Sequence, residues 1–166
     1  MGVKRFWLAK VGEHGEVPGP EVYWMQWFDK WVRLSFYSLI IDTDDGYVLV
    51  GTGLVRDLTL RNKFLREWAG SDRCRFTVGD DERIENVLKR LNLKPDDIAH
   101  VVITPVQDYT VGNIDLFKKA RIYFSRRVGS RMWLTQDHHH SSIGTFTCPG
   151  MLGSICSRRL GIGSSS

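Results

Sequence analysis

Two groups of side chains in this sequence could do chemistry. Asp108 and Tyr109 follow the apolar run Val101 to Ile103, and a carboxyl group beside a phenol could work as an acid and base pair if both faced one substrate. Among three adjacent histidines, His138 and His140 could face one metal ion, because side chains alternate along an extended chain. Asp108 and Tyr109 are therefore weak catalytic candidates, and Asp108, His138 and His140 are weak metal ligands.

Length and composition fit one globular domain. The chain has 166 residues, of which 42% are hydrophobic and 25% charged, so it can bury a sizeable core. Residues 1–10 are not a signal sequence, and no run of 18 apolar residues could span a membrane. The three cysteines are widely spaced and odd in number, which disfavours a disulfide framework. We expect a cytoplasmic protein with no membrane partner.

The positive charge is concentrated near the C-terminus. From residue 121 onward Asp137 is the only acidic residue, and it faces six arginines, namely Arg121, Arg126, Arg127, Arg131, Arg158 and Arg159. These arginines are scattered and lie in no recognisable nucleic-acid-binding motif, so nucleic acid is not an expected partner. The composition divides the chain into residues 1–127 and a basic tail of uncertain order, residues 128–166, which is rich in Gly and Ser from residue 144 onward.

The apolar pattern predicts a hairpin in the first third of the chain. Residues 34–42 and 47–50 have the composition of two strands, and the Asp45-Gly46 step between them favours a tight turn. Before the hairpin, residues 4–11 can form an edge strand, and the Gly and Pro density of residues 12–20 predicts a loop.

Two helices and two strands are predicted to follow. Apolar residues recur at helical spacing between Asp57 and Gly70, and again from Asp80 or Asp81 to just before Leu93. The run 101–103 is predicted to be a short buried strand, and residues 121–125 another. Asp108 and Tyr109 then lie at the C-terminal end of a strand, where α/β sheets usually place their ligands.

A dense group of aromatic residues lies between the predicted loop and the hairpin. Its members are Tyr23, Trp24, Trp27, Phe28 and Trp31. Rings at this density are more often core than a binding surface, so we expect them to be buried. In the alternative, Trp24, Trp27 and Trp31 form the wall of a ligand cleft.

The order of these segments resembles the metallo-β-lactamase superfamily. The resemblance covers residues 34–127 and is carried by four segments: the turn Gly51-Thr52-Gly53, the run Leu91 to Ile98, the pattern Thr104-x₇-Gly112-Asn113, and the run Ala120 to Arg127. The N-acyl homoserine lactonase branch looks most similar. The resemblance implies an α/β (α+β) protein with an αββα sandwich, two mixed sheets with helices outside, of which this chain has the N-terminal half and an apparently truncated C-terminal half.

The same resemblance implies hydrolysis by a metal-bound hydroxide. The family carries a His-x-His-x-Asp-His motif, and this sequence has Pro105, Gln107, Tyr109 and Thr110 at the four ligand positions. None of these is a good zinc ligand, because proline has no donor atom, the amide and hydroxyl oxygens are neutral, and tyrosine would have to lose a proton with a pKa near 10. Gly51 stands where the family turn has aspartate. The expected cofactor is therefore none, or zinc if another ligand set exists.

Three functions are compatible with the sequence. The first is a lactonase-like protein whose metal site is degenerate and whose catalysis is lost. The second is an active metal-dependent hydrolase of a small ester or lactone that uses Asp108 with His138 and His140. The third is a non-enzymatic module that binds a small molecule or a partner at the aromatic group. Half a sandwich would also leave one apolar sheet face uncovered, so we expect self-association.

Overall fold

A mixed six-stranded sheet organises residues 2–125, the part of the chain that this computed structural model describes. The strands are β1 (Val3–Pro18), β2 (Trp31–Thr43), β3 (Gly46–Val50), β4 (Phe76–Thr77), β5 (Ile98–Ile103) and β6 (Arg121–Phe124). Their order across the sheet is β4-β1-β2-β3-β5-β6. β1 to β3 pair antiparallel, whereas β3, β5 and β6 pair parallel. The sheet is the central structure of one half of the predicted sandwich.

The predicted hairpin is confirmed. β2 and β3 pair from Leu39 opposite Val50 to Thr43 opposite Gly46. The Thr43 hydroxyl closes the turn by donating to the Gly46 carbonyl oxygen at 2.7 Å, and Gly46 has a φ of 107°, which a residue with a side chain rarely adopts.

The loop predicted at residues 12–20 is wrong in its first part. β1 continues through this segment to Pro18 and pairs with β2 as far as Pro18 opposite Trp31. The pairing register shifts between Lys10 and Glu13 and between His14 and Val17. Glycine and proline here belong to bulges and to the end of a bent strand, which tolerate the same residues as a loop.

Both predicted helices are present. The α-helices are α1 (Gly19–Val22), α2 (Thr59–Ala69), α3 (Ile84–Arg90) and α4 (Asp108–Val111), and 3₁₀ turns cover Asp80–Glu82, Pro95–Asp97 and Ile114–Leu116. Asp57 accepts a hydrogen bond from the Thr59 N–H at 2.9 Å near the start of α2. Gly70 ends the helix in the left-handed conformation. Within residues 2–125, no helix is long and apolar enough to cross a membrane.

The core lies on one face of the sheet. Ile40, Leu49 and Val101 occupy one cross-strand row and are completely buried. Other buried apolar side chains come from α3 and the segments around it, namely Ile84, Val87, Leu88, Leu93 and Phe117. The amphipathic pattern of α3 therefore matches its burial.

The prediction that the aromatic group is buried core is wrong. Trp24 is 86% exposed, Trp27 41% and Trp31 37%. These residues lie on the connection from α1 to the start of β2, where Tyr23 packs on Trp27 with ring centroids 4.2 Å apart and Lys30 lies over the Trp27 ring. Tyr23 and Trp27 contact each other, and the whole group is exposed, so it is a surface cluster. Their assignment as a cleft wall stays a prediction.

β4 is anchored to β1 through His14. β4 pairs with β1 only at Glu13 and His14, and the His14 ring meets Phe76 edge-on with centroids 4.8 Å apart. Cys74 Sγ lies 3.7 Å from His14 Nε2, and both residues are buried. Burial, together with the positive charge of Arg61, lowers the pKa of His14 below its ordinary 6.5. The buried imidazole is therefore held neutral.

This burial predicts a specific loss of stability in acid. Below about pH 6.5 the unfolded chain takes up a proton at His14 while the native chain does so only at lower pH, so the free energy of unfolding should fall as pH drops through this window. His14→Gln removes the titration. Chemical denaturation between pH 8 and 5 should show a shallower pH dependence for the variant, and equal slopes would contradict the assignment.

Candidate functional site

The segment that resembles the metal loop is an ordered connection after β5. It runs from Thr104 through α4 to Asn113 and lies beside the Gly51-Thr52-Gly53 turn that follows β3. Because β3 and β5 are parallel neighbours, both connections leave the same edge of the sheet. The structure therefore places the loop at the edge of the sheet where the resemblance predicts it.

Buried hydrogen bonds join the loop to the turn. Thr52 donates from its N–H and from its hydroxyl to the Thr110 carbonyl oxygen, at 2.8 and 3.0 Å. Asn113 donates from its backbone N–H to the Thr52 hydroxyl at 3.1 Å. The Asn113 side-chain amide donates to the carbonyl oxygens of Thr52 and Leu54 at 2.8 and 2.7 Å. We call this network the Thr52–Asn113 lock.

Thr110, at the position of the last motif histidine, is used inside the loop. Its hydroxyl lies 2.5 Å from the Pro105 carbonyl oxygen and 2.9 Å from the Gln107 carbonyl oxygen, either of which can accept its proton. The same hydroxyl accepts a hydrogen bond from the Gln107 N–H at 3.0 Å. Thr110 is 4% exposed. Its oxygen atom therefore closes the turn instead of facing a ligand.

Tyr109, at the position of the motif aspartate, belongs to an aromatic stack. Its ring lies parallel to Phe36, with centroids 4.3 Å apart and an interplanar angle of 2°. Phe36 in turn meets Phe76 edge-on. Burial and the nearby Asp108 carboxylate raise the pKa of the Tyr109 phenol above its ordinary 10.0, so the phenol stays protonated at neutral pH and is a poor metal ligand.

Asp108 forms an ion pair with Arg61 of α2. The carboxylate oxygen lies 2.7 Å from the guanidinium, and the two side chains are only 23% and 17% exposed. Arg61 also lies over the rings of Phe64 and Phe76. Burial raises the pKa of Asp108, and the positive charge of Arg61 opposes that shift. A half-buried carboxylate in this contact is not available to a metal ion without displacing Arg61.

The structure describes only some of the other candidate ligands. Pro105 and Gln107 are exposed, and His138 and His140 lie outside the described residues. Among residues 2–125, no three His, Cys, Asp or Glu side chains are close enough to hold a metal ion. The side chains that the loop presents do not fit a zinc centre, because they offer no imidazole and their carboxylate faces an arginine.

Gly51 leaves a small space at the motif position where aspartate is expected. A Cβ atom built there would lie 3.6 Å from the Ser38 hydroxyl and 3.7 Å from a Thr110 methyl carbon, in ordinary contact, although the backbone φ of 77° disfavours a side chain. Ser38 is fully buried, and its hydroxyl has no hydrogen-bond partner among the described residues. One neutral hydroxyl is too weak a donor to rebuild a metal site.

Sequence reasoning missed Arg61, Phe36 and His14 as contributors to this region. Arg61 lies on a helix and Phe36 on a strand distant in sequence, so no local motif connects either residue with the loop. No sequence signal pointed to these contacts, because their positions depend on tertiary packing.

Comparison with solved structures identifies the fold. An N-acyl homoserine lactone hydrolase with N-hexanoyl-L-homoserine at its catalytic metal centre aligns with a TM-score of 0.63 and 20% identity over 74% of this chain and 48% of its own. AiiA from B. thuringiensis, with N-decanoyl-L-homoserine bound, aligns with a TM-score of 0.64 at 20% identity, 74% and 48% coverage. A protein described as a probable metal-dependent hydrolase from Staphylococcus aureus gives 0.60 at 13% identity, 81% and 52% coverage.

The chain has the metallo-β-lactamase fold, as the sequence predicted. It spans about half the length of the solved structures that it matches. The resemblance to N-acyl homoserine lactonases is confirmed as a structural similarity. No family model matches the sequence, and no curated protein matches it.

The close approach of the loop to the turn predicts that Gly112 is essential for stability. A Cβ atom at Gly112 would lie 2.3 Å from the Val55 nitrogen and 2.5 Å from the Gly53 carbonyl oxygen. The φ of −57° is helical, so Gly112→Ala introduces a steric clash without conformational strain. We expect it to lower the free energy of unfolding by about 1–3 kcal/mol or more.

A matched control is Gly70→Asn, because Gly70 has open space around it and a left-handed backbone that asparagine tolerates. Urea denaturation of both variants measures the effect. A Gly112→Ala variant as stable as the unsubstituted chain would show that the loop and turn are not held in contact.

Proposed function

We propose that this chain is a metallo-β-lactamase-fold, lactonase-like protein that has lost its metal site and its catalytic activity. The observation that carries the proposal is that the residues at the four motif positions make structural contacts or lack a strong ligand atom. Thr110 bonds the loop backbone, Tyr109 stacks on Phe36, and Pro105 and Gln107 offer no strong ligand atom. The loop is held by its own side chains and by the Thr52–Asn113 lock.

Chemical requirements of the fold's usual reaction support this proposal. A bound zinc ion lowers the pKa of its water to about 7, which makes hydroxide available at neutral pH. Several imidazoles and carboxylates have to converge to hold such an ion. The loop has no imidazole, and its one carboxylate, Asp108, faces Arg61 at 2.7 Å. The Tyr109 phenol, with its raised pKa, stays protonated at neutral pH and cannot replace hydroxide as a nucleophile.

The alternative of an active hydrolase would require Asp108, His138 and His140 to meet at one ion. Asp108 would have to exchange the Arg61 guanidinium for the metal, which leaves a half-buried arginine in contact with two aromatic rings. The proposal of a lost site requires no such rearrangement. Metal content separates the two.

A non-enzymatic binding role is a second candidate and is compatible with the first. The observation that favours it is the exposure of Trp24, Trp27 and Trp31 at the start of β2. Large exposed aromatic residues are enriched where proteins bind small molecules or partners. This role needs no metal, so it would survive the loss of the catalytic site.

The proposal predicts a metal-poor protein. Chain purified without added chelator and dialysed against metal-free buffer should contain well below one zinc, iron or manganese ion per molecule by elemental analysis. It should also fail to open an N-acyl homoserine lactone when zinc is supplied. A stoichiometric ion that resists chelation, or zinc-dependent lactone opening, would overturn the proposal.

Restoring the family's ligands tests whether this loop aligns with the metal motif. Pro105→His with Gln107→His changes only exposed positions and should create weak zinc binding. Adding Tyr109→Asp and Thr110→His should strengthen it further, by roughly tenfold or more for each strong ligand gained. Calorimetric titration with zinc measures both variants.

A matched control places asparagine at the same four positions, which repeats the loss of the Thr110 hydroxyl and the Tyr109 ring without adding imidazoles. Circular dichroism identifies any variant that fails to fold. If the folded histidine variants bind zinc no better than the asparagine control, the alignment of this loop with the metal motif is wrong.

A further inference from the structure

The sheet face opposite the core carries two apolar rows. The pairing registers place Leu8, Leu39, Val50, Val102 and Tyr123 in one row across five strands. The second row contains Phe6, Ile41, Val48, His100 and Arg121. We call these ten residues the outer face. The first row contains no charged side chain.

This face exposes large apolar side chains, which a sheet face in contact with water usually does not. Phe6 is 67% exposed, Leu8 64% and Tyr123 46%, and the five aliphatic residues Leu39, Ile41, Val48, Val50 and Val102 are half-buried. A sheet face that remains in water normally alternates to polar residues, and parallel strand pairs such as β3 and β5 are normally covered on both faces. The outer face therefore has the character of an interface.

We propose that a second copy of this chain covers the outer face, so that two sheets pack face to face in a symmetric dimer. Two copies of one apolar sheet face can pack together when a two-fold axis relates them, because the same patch then forms both sides of the interface. Sheet-on-sheet packing at about 10 Å is also the usual way to bury such a face.

The size of the face fits a weak, reversible dimer. It spans five strands about 4.8 Å apart and roughly four residues of about 3.4 Å along each, a footprint on the order of 300 Å². The relief of the side chains raises the accessible area toward the roughly 800 Å² that each partner contributes to a standard interface. The footprint alone is within the size range of the largest apolar patches that monomeric proteins expose.

The charge distribution agrees with contact between like faces. Arg121 lies at the outer end of the second row, on the edge strand β6, so a two-fold axis near the centre keeps the two copies of Arg121 apart. The Tyr123 hydroxyl lies 3.2 Å from His100 Nδ1, so these two polar groups are already paired within one copy. The aliphatic centre contains no charge to desolvate.

Residues 126–166 are a weaker occupant on sequence grounds. Their apolar residues are isolated among glycines and serines, without the alternation of a covering strand. Ordering such a segment over the face would cost more conformational entropy than docking a preformed sheet. The inference is independent of the proposed loss of metal, since it concerns a face of the sheet and not the loop at the edge of the sheet.

Sedimentation equilibrium of the full chain over a wide concentration range tests the proposal. The unsubstituted chain should change reversibly from monomer to dimer. Leu8→Glu and Tyr123→Glu each place a charge twice in a two-fold interface, so each should raise the dissociation constant at least roughly tenfold. Leu60→Glu, at an 81% exposed position on α2, is the matched control and should dimerise like the unsubstituted chain.

Leu8 is 64% exposed and Tyr123 46% exposed in one copy, so the variants should keep the thermal midpoint of a dilute, monomeric chain. A chain that stays monomeric at high concentration would overturn the proposal. Dimerisation that is unchanged in Leu8→Glu and Tyr123→Glu would also overturn it. Oxidative labelling of Tyr123 adds a second readout: protection that grows with concentration supports the dimer, and protection independent of concentration indicates an occupant from the same chain and contradicts it.

Discussion

The Thr52–Asn113 lock is the interaction on which the rest of this region depends. It joins the connection after β3 to the connection after β5 through hydrogen bonds buried from water, where loss of one partner leaves the other with the full cost of desolvation. Gly112 lets the two backbones approach closely, since any side chain would collide with Val55. The parallel pairing of β3 and β5 brings the two connections to one edge of the sheet.

The lock holds the connection that resembles a metal loop through contacts within the protein. In a metal centre the ion itself draws several side chains together, whereas in this loop Thr110 closes the turn and Asp108 is neutralised by Arg61. The Thr110 hydroxyl and the Asp108 carboxylate therefore both make structural contacts in this loop. The sheet and the lock can therefore hold this part of the fold without an ion.

The elements with strong local signals were predictable, and the contacts between distant elements were not. Neighbouring residues in the sequence determine the Asp45-Gly46 turn, the apolar face of α3 and the end of α2 at Gly70. The bulges of β1 resemble a loop in sequence, because glycine serves both. The exposed cluster around Trp24 resembles core. The Asp108–Arg61 pair depends on how α2 packs beside the loop, which no local pattern encodes.

Thermal unfolding with excess zinc and with excess chelator tests most directly the claim that the loop needs no metal. A ligand that binds the native state raises its stability by RT ln(1 + [L]/Kd), about 2.7 kcal/mol at a hundredfold excess over the dissociation constant. The lock predicts the same midpoint in both conditions, within experimental error. A midpoint that rises with zinc and falls with chelator would show that an ion stabilises the native chain, and would contradict a loop held by the lock alone.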